Sequence, residues 1–83
     1  MSQILKYPLS TEKAVRMIGS ENKITFVVDD KAKKKQIKDE FETMFKVKVL
    51  NVNTLIHKGR KKAYIKLSPD NPAIDIATQL GLM

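Results

Sequence analysis

Val47-Lys-Val-Leu-Asn-Val-Asn-Thr-Leu-Ile-His57 is rich in β-branched residues, and its length and composition predict a long strand. Lys58-Gly59-Arg60 follows as a tight turn, and Lys62 to Leu67 returns as a second strand. The two form a β-hairpin, which commits the chain to antiparallel pairing. The alternation changes phase near Val49-Leu50, the mark of a β-bulge or of a residue buried on both sides.

Upstream, Ile37, Phe41, Met44 and Phe45 fall on one face of a helix, and Asp29 or Asp30 is placed to cap it. Before it, Lys23 to Val28 alternates Ile24, Phe26 and Val28 with Lys23, Thr25 and Val27, a strand. Ser10 or Thr11 caps an earlier helix with Glu12 in its first turn, an apolar stripe at Ala14, Val15 and Ile18, and a stop near Gly19. Gln3 to Lys6 reads as a short edge strand ended by Pro8. Downstream, Asn71-Pro72 starts a last helix whose stripe is Ile74, Ala77 and Leu80, ended by Gly81. The order is β-α-β-α-β-β-α. It predicts one α+β domain over residues 1–83, a largely antiparallel four-stranded sheet with helices packed on it.

The helix after Val28 is electrostatically inverted. Lys31 to Lys38 holds five lysines in eight residues, and the acids Asp39, Glu40 and Glu42 come later. A helix N-terminus carries partial positive charge and favours acids, by about 0.3–1 kcal/mol each. Lysines there give up that stability and instead concentrate a positive field beside free backbone amides, the requirement for binding phosphate. A second cluster, Lys58-Gly-Arg-Lys-Lys62, surrounds the hairpin turn, whereas Pro69 to Met83 has two acids and no bases. With 16 Lys and Arg against 9 Asp and Glu, the net charge is +7, and the bases are segregated to one side. That balance calls for a polyanionic partner, either nucleic acid or an acidic membrane surface.

Each candidate residue has an ordinary reading beside the functional one. A lysine run is often a solvated face, and lysines on a hairpin also protect a sheet edge from aggregation. Asn51, Asn53 and Thr54 either meet ribose hydroxyls and base edges of irregular RNA or form the plain solvent face of a half-covered sheet. Tyr7 and Tyr64 either stack on bases or serve as amphipathic packing residues. His57 is the only histidine and reads as a strand residue, neither catalyst nor ligand. No cysteine is present, which excludes disulfides and thiolate metal sites. Ser10, Thr11 and Ser68 lack a neighbouring base, and no phosphate-binding or dinucleotide motif occurs, so an enzyme has no support. No metal or cofactor is expected. Neither a signal peptide nor an apolar run near ~20 residues is present, and the chain reads as cytosolic.

In order, Tyr7-Pro-Leu-Ser-Thr-Glu-Lys-Ala14, Asn22-Lys-Ile-Thr-Phe-Val-Val28, Lys35-Gln-Ile-Lys38, Phe45-Lys-Val-Lys-Val49, Val52-Asn-Thr54 and Lys61-Lys-Ala-Tyr-Ile65 resemble ribosomal protein twenty-three of the large subunit. The resemblance spans nearly the whole chain. It implies an α+β domain that binds large-subunit rRNA beside the polypeptide exit tunnel. It also implies a docking site for the signal recognition particle or ribosome-associated chaperones, with other large-subunit proteins as neighbours. Ser10, Thr11 and Lys13 would then lie at the RNA or the exit rim, and Asn53 and Thr54 against RNA. Lys61, Lys62 and Tyr64 match the base of the family's hairpin, and Glu12, with Arg16 beside it, matches the docking position. Bacterial members carry a long extension between the last two strands; here the connection is only Lys58-Gly59-Arg60, a compact form similar to the archaeal type. The expected RNA-binding set is therefore Lys6, Ser10, Thr11, Lys13, Lys31, Lys33, Lys34, Lys35, Lys38, Asn51, Asn53, Thr54, Lys58, Arg60, Lys61, Lys62 and Tyr64. Neither membrane insertion nor an obligate homo-oligomer is expected. A free-standing RNA- or DNA-binding regulator is the alternative reading. A peripheral binder of anionic membranes lacks a helix that pairs a basic face with Trp or a large apolar face.

Overall fold

The computed structural model describes residues 3–82. Its elements are β1 (Leu5–Pro8), α1 (Glu12–Glu21), β2 (Lys23–Val28), α2 (Lys34–Phe45), β3 (Val49–His57), β4 (Arg60–Leu67) and α3 (Ala73–Gln79). The strands form one antiparallel sheet in the order β1-β2-β4-β3, so β1 and β3 are its edges. This is the expected α+β architecture. The hairpin closes through Lys58 and Gly59, both at positive φ, so the turn has two residues and Arg60 already belongs to β4. The expected phase change is a bulge at Leu50, between the pairs Val49–Leu67 and Asn51–Lys66.

Register assigns every side chain to a face. Ile24, Phe26 and Val28 of β2, Ala63, Ile65 and Leu67 of β4, and Val52 of β3 share the first face and form the core with Ile37 and Phe41 of α2. Phe26 meets Phe41 edge-on at 5.7 Å between ring centroids, a geometry aromatic rings favour. Thr25 and Val27 point to the second face, yet they too are buried. α1 packs against β2, and Leu9 and Thr11, which lead into it, border one groove together with Val27 and Lys62, so α1 and its lead-in cover this part of the second face. The sheet is thus sandwiched between α2 on one side and α1 on the other. On β3 and β4 the second face stays open.

Several boundaries differ from those expected. β1 runs through Tyr7 and Pro8, because on an edge strand the proline nitrogen can face away from the ladder. Thr11 caps α1 by accepting from the Ala14 N–H (3.2 Å), but the helix continues past Gly19 to Glu21. Neither Asp29 nor Asp30 caps α2; they form the preceding turn, and the N-cap is Lys33. Met44 is exposed, because the buried stripe of α2 narrows to Ile37 and Phe41 with Phe45 half-buried. In α3 it is Ala73, Ile76 and Ala77 that are buried, while Ile74 faces solvent. Pro72 sits at the N-cap instead of the first helical position.

The residue that joins these parts is Asn22. It ends α1 in the left-handed conformation (φ 55°), which asparagine tolerates better than most residues. Its Nδ2 donates to the carbonyls of Leu67 (3.1 Å), Ser68 (3.2 Å) and Asn71 (3.3 Å), and its Oδ1 accepts from the Ala73 N–H (2.6 Å). One amide therefore closes α1, ties off β4 and caps α3, whose own N-cap proline offers no side-chain acceptor. Asn22→Ala should lower stability by about 2–4 kcal/mol, because several part-buried groups lose their partner at once. Asn22→Gly, which keeps the backbone conformation, should recover only a minor share. Urea unfolding of both variants measures this; a glycine variant as stable as the parent would show that the side-chain bonds contribute nothing.

Candidate nucleic-acid interface

Three backbone amides open α2 without a side-chain cap. Lysine at the N-cap has only donors to offer, so it accepts nothing from the first turn. The Lys33 N–H is itself taken by Gln36 Oε1 (2.9 Å), and among the described residues the N–H groups of Lys34, Lys35 and Gln36 have no acceptor. Lys31, Lys33, Lys34, Lys35 and Lys38 are all exposed around this end, and the first turn has no acid. The turn ahead is braced by Asp29, which accepts the Lys31 N–H (3.2 Å). That bond, then Asp30 and the charges of Lys6 and Lys31, hold the Asp29 carboxyl below its ordinary pKa. Lys6 thereby belongs to the same corner, although it lies on β1.

The hairpin joins this corner through Lys61. Its Nζ donates to the Ala32 carbonyl (2.6 Å), so Lys61 is a half-buried tie to the turn before α2. Lys62 points the opposite way. On the second face, register sets Asn51 beside Lys66, Asn53 beside Tyr64, Leu55 beside Lys62 and His57 beside Arg60. Asn51 and Asn53 are exposed there and Tyr64 is half-buried between them and β2. Thr54 does not join them. It pairs with Ala63 on the first face, where it is half-buried. Lys66 belongs to this surface, and sequence reasoning missed it; stepping by two from Lys62 along the strand was the signal available.

α1 presents the remaining residues. The Thr11 hydroxyl is engaged in the cap, Ser10 is exposed, and Lys13 is exposed beside Glu12 and Arg16. Glu12 and Arg16 form an ion pair at 3.0 Å with their side chains largely in solvent. These residues lie on the outer surface of α1, away from the lysines of α2.

Two basic surfaces thus meet at the hairpin, one around the start of α2 and one on the open second face. The Ribosomal protein L23 family model matches residues 3–69, a span that includes all four strands, α1 and α2. The chain belongs to that family. Membership makes it a large-subunit ribosomal protein of the translation machinery, with rRNA and ribosomal proteins as partners. Among the described residues no helix is long and apolar enough to cross a membrane, and no group of three or more His, Cys, Asp or Glu is placed to hold a metal ion.

The lysine N-cap yields a direct test. Lys33→Asp supplies the missing acceptor and should raise stability by about 0.5–2 kcal/mol. The same change reverses a charge at the amide cluster and should lower RNA affinity. Urea unfolding and an RNA titration of the one variant read both effects. If the variant were less stable and bound RNA normally, Lys33 would be a structural residue.

Proposed function

We propose that this chain is a single rRNA-binding domain of the large subunit, placed beside the polypeptide exit tunnel, where α1 serves as a docking element for factors that meet the nascent chain. The observation that carries the RNA-binding part is the convergence of exposed lysines and uncapped amides at the start of α2. Phosphates need both, and the fold itself gains nothing from either. The exit-site placement rests on the family. The compact hairpin, closed by two residues, supports a position against RNA and gives no reach toward a tunnel wall.

Surface apolarity favours a ribosomal constituent over a free-standing regulator. Leu50 and Leu55 are each half exposed and Ile56 is 68% exposed, all on β3. β1, the other edge, is four residues long and carries Pro8 and a bulge, devices that discourage further pairing. β3 is nine residues long and has neither proline nor lysine. An edge of that kind is tolerable when RNA or a neighbouring protein covers it permanently.

Binding through phosphates has a quantitative signature. Each phosphate neutralised contributes about −0.7 to −0.9 to the slope of log affinity against log salt, so roughly five to eight contacts give a steep decline. Titration of a large-subunit rRNA fragment at several salt concentrations measures the slope; a flat response would remove this mechanism.

Docking has its own test at Glu12. The exposed Glu12–Arg16 pair is worth little to stability, so Glu12→Ala should leave folding and rRNA affinity unchanged. It should slow association of an exit-site factor with ribosomes that carry the variant and weaken its salt dependence. Recruitment at the parental rate would place docking on another surface.

A further inference from the structure

Between the start of α1 and the hairpin tip lies a groove of about 460 Å³, within the size range of small-ligand sites. Leu9 and Val27 form its apolar part, and His57, Lys58, Arg60 and Lys62 surround it. No acid lines it. His57 and Arg60 are cross-strand partners and both border the groove, which gives it an imidazole ring and a guanidinium plane. Arg60 is not loose: its Nη1 donates to the Tyr7 hydroxyl at 3.1 Å, across the end of β2. The groove is separate from the α2 amides, because it opens on the second face.

This combination matches one ligand class. A phosphate alone would need the cations but not the apolar floor or the two flat groups. A duplex keeps its bases stacked and paired, leaving nothing to enter a groove. An unstacked nucleotide supplies an anionic backbone and a flat base, and looped RNA is recognised by such bases stacking on aromatic rings or guanidinium planes. We propose that this groove holds one unstacked nucleotide of a looped or single-stranded rRNA segment, its base against His57 and Arg60 and its phosphates at Lys58 and Lys62. The inference rests on the rRNA-binding reading above and adds the kind of RNA element that is bound.

The test titrates the full chain with two probes, a fluorescent single-stranded hexanucleotide RNA and a blunt RNA duplex. His57→Ala and Arg60→Gln, both at exposed positions, should each weaken the single strand about tenfold, within the range for losing one stacked base. His57→Ala should leave duplex affinity unchanged, whereas Lys33→Asp should weaken the duplex. On the unmodified protein, the His57 ring protons should shift in the NMR spectrum on adding the hexanucleotide, and less with an abasic version. Unshifted His57 protons, or equal binding of the abasic strand, would overturn the groove while leaving phosphate binding at α2 intact. If neither probe binds, the rRNA-binding reading itself fails.

Discussion

The fold depends on a single amide at the junction of three elements. Asn22 closes α1, and its side chain reaches across about fifty residues of sequence to β4 and α3. The network continues from there. Asn71, one of its partners, accepts the Lys48 N–H (2.9 Å), and Lys48 in turn accepts from Ser68 (3.0 Å). Glu42 of α2 accepts the Val49 N–H (2.8 Å) and so fixes the start of β3 from the other side. The strands that carry the open face are therefore anchored at the end of the sheet opposite the hairpin tip. Polar precision is gathered at one end, which leaves the other free to be basic.

That division explains how a small domain tolerates so much like charge. The anchoring network lies along the Lys23–Leu67 end, and the lysines around the start of α2 and on the hairpin lie toward the Val28–Lys61 end. Repulsion among exposed lysines in water is modest and is further reduced by salt. Lys61 is drawn into the structure, and there it meets a carbonyl instead of another charge. A polyanion arriving at this end relieves repulsion that the folded chain otherwise carries.

Most of the architecture was legible because periodicity is a local signal. The pattern in β2, the bulge near Leu50 and the hairpin all followed from which residues were apolar and how they were spaced. What was not legible depends on the third dimension. Asn22 carried no structural role in the sequence, since nothing near it reveals that its partners lie at Leu67 to Ala73. Val27 sits on the polar side of an alternating strand and is buried all the same, on the strand against which α1 packs. Met44 and Ile74 fit a helical stripe but are exposed, since each helix meets the sheet along a narrower line than its apolar residues mark out. Within the candidate interface, clusters were visible and faces were not. Lys61 and Lys62 are neighbours in sequence and point to opposite sides of the sheet, and Thr54 separates from Asn51 and Asn53 by the same alternation.

Lysine occupies three positions where another residue would serve the backbone better. Lys33 stands at an N-cap, where serine or aspartate would accept a hydrogen bond. Lys46 ends α2 at φ 56° and Lys58 opens the hairpin turn at φ 52°, both in the left-handed region that glycine or asparagine enters at lower cost. Each choice costs on the order of 1 kcal/mol. Lys46 is explained by its place, because a cation at a helix C-terminus faces the negative end of the dipole and recovers part of that cost. Lys33 and Lys58 have no such compensation inside the fold. Lys33 raises the field where the amides are free, and Lys58 extends the charge of the hairpin to its tip. The cost at these two residues fits the proposed binding, in which the free energy is recovered outside the chain. The two positions also mark the two surfaces, one on each side of the sheet, at which a polyanion would return it.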